Sequence, residues 1–327
     1  MDEFSRNAFT PGVKATILRN LKLEASELID LGGFESFIFQ RAANNSIVRM
    51  THVSHRSEEQ IQAELEFVLH LAEAGAAVCK PIPFDDHTLV RIVGEFLICQ
   101  FEKAPGHPAD YEDWDDGLFL RWGRCIGQFH AHANMLVNPR YRRINWNQDE
   151  NINFRARIPA EQKSILEYAD ENLASLAQLP QDADNFGLIH SDAHGGNFFA
   201  KGNKLTFFDF DDCVYQWFVF DVATILLGTV IRPAVAATRQ AQEAAAIQFL
   251  PPFFEGYNQV FRVNTFMLAH MPLFLKTREL SLYAVILHHM VLDNIEGDFA
   301  KQFMLGRQAR LTGNEPFLDM DFDKLFG

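Results

Sequence analysis

Apolar side chains recur at helical spacing over residues 11–29, at Val13, Ile17, Leu18, Leu21 and Leu28, and predict an opening helix. Leu31-Gly32-Gly33-Phe34-Glu35-Ser36 interrupts that pattern. Phe37-Ile38-Phe39 then reads as a strand, Asn44-Asn45 as a turn and Ile47-Val48-Arg49-Met50 as the returning strand. Ser57-Glu58-Glu59-Gln60 has the form of a capping box, whose side chains satisfy free amides at a helix start, and the helix it opens runs to Gly75. Two further strands are predicted over 88–93 and 95–102, bent at Gly94. After Pro105-Gly106 the texture changes, and residues 116–135, 161–177, 219–232, 236–262 and 275–293 all favour helix. One compact β feature interrupts them: Leu188-Ile189-His190, Asn197-Phe198-Phe199 and Leu205-Thr206-Phe207-Phe208, with Gly202-Asn203 turning between the last two. The pattern predicts an α+β protein of two lobes. A small antiparallel sheet with one helix occupies residues 1–102, and a larger, mainly helical lobe occupies 103–327.

Composition narrows the partners. The 327 residues are 48% hydrophobic and 22% charged, an ordinary globular balance, and the formal charge of −14 argues against a nucleic-acid backbone as ligand. Cys79, Cys99, Cys125 and Cys213 stand far apart with no CxxC pair, which argues against a disulfide framework or a zinc module. The start, Met1-Asp2-Glu3-Phe4, lacks a signal-peptide pattern, and charges break every apolar run well short of the ~20 residues a membrane span needs. A cytoplasmic protein is expected, with no membrane partner.

Polar residues crowd the one β feature of the helical lobe. It reads Ile189-His190-Ser191-Asp192-Ala193-His194-Gly195-Gly196-Asn197, followed by Phe207-Phe208-Asp209-Phe210-Asp211-Asp212. A strand that ends in His-x-Asp, loops through two glycines and restarts at Asn delivers several polar side chains to one spot, and a second strand ends on Asp209 beside them. Phosphoryl transfer needs such a set: a carboxylate to orient the acceptor hydroxyl, and an amide with a carboxylate to hold Mg²⁺ on the nucleotide phosphates. Asp-rich strand ends are also ordinary turns, and Asp211 and Asp212 read equally well as solvated caps.

His190-x-Asp192-x4-Asn197 followed by Phe208-Asp209-Phe210-Asp211-Asp212 resembles the aminoglycoside phosphotransferase and choline kinase family, a branch of the protein-kinase-like fold. Asp221-Val222-Ala223 resembles that family's helix-start Asp, whose part is structural, Phe129-His130 its Leu-His pair and Phe254-Glu255-Gly256-Tyr257 its late Gly-Tyr. The resemblance is strong over 187–228 and looser elsewhere. It implies ATP and Mg²⁺ as cofactors, Asp192 as catalytic base and Asn197 and Asp209 as metal ligands. Asp211 is a candidate second metal ligand or acceptor contact.

The small lobe should then clamp the nucleotide. Ile61, Leu65 and Val68 define the inward stripe of the 58–75 helix, and Glu64 shares it; a buried carboxylate asks for a partner, and Arg49 on the neighbouring strand is the candidate. Kinases usually place Lys there, so Arg49 leaves open a nucleotide-binding protein without activity. Gly33 and Ser36 could approach phosphates through backbone amides, although paired glycines are also plain turns. Gln100 and Phe101 lie where an interlobe hinge would take adenine.

Three rivals and one substrate question stay open. His190-x-Asp192-x-His194 and His130-x-His132 suggest a metal-dependent hydrolase, but residues two apart on a helix point ~200° from each other, so His130 and His132 should diverge. A Ser/Thr protein kinase needs a long activation segment, and only eleven residues separate Asp209 from Asp221. A small hydroxyl-bearing acceptor is therefore favoured, and the acidic cluster suggests a cationic one, with Phe253, Phe254, Tyr257, Phe274 and Tyr283 as candidate aromatic contacts or plain core, and Arg278 as the contrary sign.

Overall fold

The computed structural model describes residues 3–33, 35–134, 142–232, 238–289 and 298–322. Phe34 and the predicted helical positions 135, 236–237 and 290–293 lie outside the described residues.

Two helices, α1 (Glu3–Ala8) and α2 (Pro11–Leu21), precede a small sheet. Thr10 caps α2 by accepting a hydrogen bond from the Val13 amide, and Lys22 closes it in the left-handed conformation. The helix predicted to residue 29 thus stops at Leu21. Leu28 instead begins strand β1 (Leu28–Gly32), because its backbone pairs with Arg41 of β2 (Phe37–Arg41). Strands β3 (Ser46–His52), β4 (Arg91–Val93) and β5 (Phe96–Glu102) complete an antiparallel sheet of order β1-β2-β3-β5-β4. Helix α3 (Glu58–Glu73) crosses between β3 and β4, and its capping box forms as predicted from Ser57 and Gln60. Phe39, Val48, Met50 and Ile98 bury one face of the sheet, while Ile61 and Leu65 of α3 cover Leu97 and Cys99 on the other.

The rest of the chain is dominated by helices. Strand β6 (His107–Pro108) leads into α4 (Asp116–His132), then come the short α5 (Phe154–Arg157) and α6 (Lys163–Leu176). Strands β7 (Phe186–Ile189), β8 (Phe198–Lys201) and β9 (Lys204–Phe207) follow, and β10 (Val214–Trp217) returns to pair with β7. Strand β8 sits between β6 and β9. Helices α7 (Phe218–Val230), α8 (Arg239–Asn258), α9 (Thr265–Ala269), α10 (Met271–His289), α11 (Asp298–Met304) and α12 (Arg307–Thr312) complete the lobe. Strands β6 and β10, two and four residues long, were not anticipated from the sequence.

Helices α4 and α8 meet backbone to backbone. A Cβ on Gly123 would fall 1.8 Å from the Phe253 carbonyl oxygen, and one on Gly256 would fall 1.8 Å from that of Leu120. Only glycine permits this approach. It brings His130, near the end of α4, within reach of Tyr257 on α8. All five aromatic residues read as acceptor contacts or plain core prove to be core: Phe253, Phe254 and Tyr257 of α8, with Phe274 and Tyr283 of α10, are buried in the large cluster.

Candidate active site

The catalytic loop is fixed from behind before any ligand is considered. Strand β7 ends at Ile189, and Ser191 follows with φ +70°, a conformation a side-chain-bearing residue adopts only when its surroundings hold it there. Asp221, at the start of α7 and fully buried, supplies that hold. Its Oδ1 accepts a 2.6 Å bond from the Ser191 amide and its Oδ2 a 3.2 Å bond from the His190 amide. His130 Nε2 lies 3.1 Å from the same carboxylate, and its Nδ1 lies 2.7 Å from the Tyr257 hydroxyl. Thr224 Oγ1 donates to the Ser191 carbonyl. The resemblance gave Asp221 a structural part, and this network describes that part atom by atom.

In front of that support, Asp192, Asn197, Asp209 and Asp211 line one cavity of about 880 Å³, together with Gly33, Ser36 and Arg49. Asn197 Nδ2 donates to both the backbone oxygen (2.8 Å) and the Oδ2 (3.0 Å) of Asp192. Arg278 on α10 reaches the other carboxylate oxygen, Oδ1, at 2.6 Å, and His194 Nε2 lies 3.4 Å from Oδ2. Burial alone would raise the Asp192 carboxyl, but His194 and Arg278 more than reverse that and hold it well below the usual carboxylate range. Asp192 is therefore a carboxylate throughout the ordinary pH range.

Asp209, in a left-handed conformation at the end of the turn after β9, is pushed up to about 7 by burial and by Asp211. Asp211 goes the other way: burial would raise it, but Arg56 and His55 hold it far down. His55 Nε2 lies 2.8 Å from Asp211 Oδ2 and 3.1 Å from Glu35, while Arg56 bonds Asp211 at 3.1 Å and Asp212 at 2.8 Å. Sequence reasoning missed His55 and Arg56. They sit in the turn between β3 and α3, and only the folded chain carries them across to residues 211 and 212. Two cationic side chains directly before a capping box were the available signal.

The residues present fit a hard divalent cation. Asp211 Oδ1 is buried and accepts no hydrogen bond, and two carboxylates crowd each other enough to lift Asp209. The amide of Asn197 donates to Asp192, which leaves its oxygen as the atom available to an ion. Carboxylate and amide oxygens suit Mg²⁺ or Ca²⁺.

Arg49 and Glu64 meet as the sequence predicts. Arg49 Nη1 and Nη2 bond Glu64 Oε1 and Oε2 at 2.8 and 2.6 Å, both side chains are buried, and Asp211 Oδ1 lies 3.8 Å from Nη1. A doubly hydrogen-bonded buried pair behaves as a unit, because removing one member strands the other charge. Arg49→Ala and Glu64→Ala should each weaken Mg·ATP binding, and the double variant should lose much less than their sum, with ~1–3 kcal/mol of coupling. Calorimetric titration of the four proteins measures it, and strict additivity would mean that the pair does not act as one element.

Gly33 belongs to the turn between β1 and β2 with φ +146°, where a Cβ would lie 2.0 Å from the Ser36 carbonyl oxygen. The Ser36 hydroxyl is 2.8 Å from that of Thr51. Gln100 and Phe101 lie on β5 and are not among the residues that line the cavity. The Gln100 carbonyl accepts from the Ile82 amide and the Glu102 amide donates to Lys80, so these backbone groups are already paired with residues 80–82. The Phe101 ring instead supports Arg49, whose guanidinium lies 5.2 Å from its centre. His130 and His132 diverge as helix geometry requires: the first is buried against Asp221, the second lies against His70. The aromatic residues lining the cavity are Tyr111, Trp114 and Phe299, and none of the five aromatic positions suggested by the sequence is among them.

A five-stranded sheet with one crossing helix, a helical lobe, and loops that bring Asp192, Asn197 and Asp209 onto one cavity define a two-lobed, protein-kinase-like phosphotransferase. Residues 30–257 match the family described as the phosphotransferase enzyme family, and the chain belongs to it. Amicoumacin kinase of Bacillus subtilis (strain 168) is 33% identical over 304 residues, 90% of each chain. Among solved structures, amicoumacin kinase hAmiN in complex with AMP-PNP, Ca²⁺ and Ami superimposes with a TM-score of 0.87 at 27% identity, covering 96% of this chain and 99% of that one. A microcompartment-associated aminopropanol kinase shares the fold, with a TM-score of 0.69 at 19% identity over 92% of this chain and 95% of the other. The protein is a kinase that phosphorylates a hydroxyl group, with ATP and a divalent cation as cofactors.

Proposed function

We propose that this kinase transfers the γ-phosphoryl group of Mg·ATP to a hydroxyl of amicoumacin or a closely similar amine-bearing small molecule. The observation that carries the reading is 33% identity to amicoumacin kinase across 90% of both chains. In this reading residues 1–102 hold the nucleotide and 103–327 the acceptor. Asp192 orients the acceptor hydroxyl and takes its proton at Oδ1 or Oδ2. Asn197 and Asp209 hold the ion, Asp211 offers a further oxygen, and Arg49, kept in place by Glu64, faces the phosphates with the amides near Gly33 and Ser36. A bound Mg²⁺ would neutralise charge on the phosphate oxygens. Arg278 occupies Asp192 Oδ1, so an acceptor hydroxyl must share or displace that contact.

A protein substrate is disfavoured by a specific observation: of the eleven residues between Asp209 and Asp221, four form strand β10, paired with β7, and three open α7, which leaves little chain for peptide docking. Among the described residues, no helix is long and apolar enough to cross a membrane. The four cysteines are buried free thiols, in keeping with a reducing cytoplasm as the working compartment. The test is ADP release with amicoumacin at fixed Mg·ATP, and a mass gain of one phosphoryl group on the product. Turnover confined to neutral or acidic hydroxylated compounds would refute the amine-bearing acceptor and leave the kinase assignment intact. Absence of turnover on every acceptor, with Mg·ATP still bound, would favour a nucleotide-binding protein in which Arg49 has replaced activity.

A further inference from the structure

The cavity that receives the acceptor is not uniformly acidic. Carboxylates gather at its reacting end, at Asp192, Asp209, Asp211 and Asp212, whereas Arg232, just beyond α7, lines another part of the wall. Among the described residues no carboxylate pairs with Arg232, whereas the cavity's Arg49 and Arg278 each bond one. Its Nε is buried and makes no hydrogen bond. A guanidinium has five N–H donors and no acceptor, and leaving a buried donor unmatched is costly.

Arg232 is held for this position. Its guanidinium lies 5.2 Å from the centre of the Trp114 ring, and a cation over an indole face keeps its in-plane donors free. Trp114 is itself seated against the catalytic loop. A Cβ on Gly195 would meet the indole at 2.4 Å, so glycine there permits the contact, and Trp122 packs edge-on at 5.5 Å behind it. Gly195, Trp114 and Arg232 thus form a continuous stack running from the loop that carries Asp192 to an unpaired cation in the acceptor cavity.

We propose that Arg232 is a specificity-determining residue that binds a carboxylate or carbonyl oxygen of the acceptor whose hydroxyl meets Asp192. The fork of a guanidinium matches such oxygens, and charge-assisted hydrogen bonds to them are strong. The acceptor is then a dipolar molecule, with its amine among the carboxylates and its oxygen-bearing group at Arg232. This rests on the reading of the cavity as a site for a small amine-bearing alcohol.

The test compares kcat/KM for a series built on one amino alcohol. 1-Amino-2-propanol is the reference. Isoserine, 4-amino-3-hydroxybutanoate and 5-amino-4-hydroxypentanoate place a carboxylate progressively further from the hydroxyl, and their primary amides offer an uncharged carbonyl instead. The wild-type enzyme is expected to prefer at least one oxygen-bearing member over the reference by about tenfold or more. R232Q should bring that ratio close to one, and R232K, which keeps the charge but not the fork, should fall between. Preference for the carboxylates alone identifies an anionic group, and equal preference for the amides identifies a carbonyl. A wild-type enzyme without preference at any length, or an unchanged ratio in both variants, overturns the proposal. Turnover of amicoumacin is measured separately, so failure of that substrate and failure of Arg232 as its reader are told apart.

Discussion

Asp192→Asn should lower acceptor phosphorylation by ~10²–10⁴-fold while Mg·ATP still binds, the span usual for loss of a general base. The substitution keeps the size of the side chain and an oxygen for Asn197, but removes the charge that Arg278 and His194 face. Asp192 sits on a loop whose backbone is fixed by Asp221, so the variant should keep the loop's geometry and lose only its proton acceptor. Single-turnover assays with ATP and acceptor read the rate, and titration of Mg·ATP reads binding. Wild-type turnover in the folded variant would exclude Asp192 as the base.

Asp209→Ala should abolish divalent-ion-dependent nucleotide binding without lowering the melting temperature. Asp209 is buried beside Asp211 and is pushed up to about 7, so in the ligand-free protein its carboxylate is poorly accommodated, and removing it relieves repulsion rather than breaking a bond. Asp211 is ill placed to substitute. His55 and Arg56 occupy its Oδ2, and Oδ1, free of hydrogen bonds, lies beside the Arg49 guanidinium. Calorimetric titration of ATP with and without Mg²⁺ measures the first effect and thermal unfolding the second. Unchanged affinity for Mg·ATP in the variant would place the ion elsewhere.

The parts of this site that could be read from the sequence share one property: their partners are close in the chain or lie on a regular face. His190, Asp192 and Asn197 are seven residues apart at most, and the helical stripe of α3 was enough to turn Glu64 inward toward Arg49. The misreadings have the opposite character. Leu28 fell in register with a helix, yet pairing with β2 overrode that local pattern. The aromatic residues of α8 and α10 left a binding wall and plain core both open, and the close α4–α8 contact, which buries Phe253 and Tyr257, decides for the core. His55 and Arg56 reach Asp211 and Asp212, 155 or 156 residues away, Arg232 meets Trp114 from far along the chain, and no periodicity marks them. Arg278 could be flagged for its charge, but its bond to Asp192 depends on how α10 crosses the loop.

The support behind the catalytic loop comes from Asp221, His130, Tyr257 and Thr224, whereas the acceptor-facing wall draws on Tyr111, Trp114, Arg232 and residues of α10. Apart from Thr224, which borders both, the two sets are different side chains. Substitutions can therefore accumulate on the acceptor wall over generations while the reacting carboxylate stays where it is. Such a division makes a scaffold evolvable: different hydroxyl-bearing compounds can be recruited by altering one surface while the other is inherited intact.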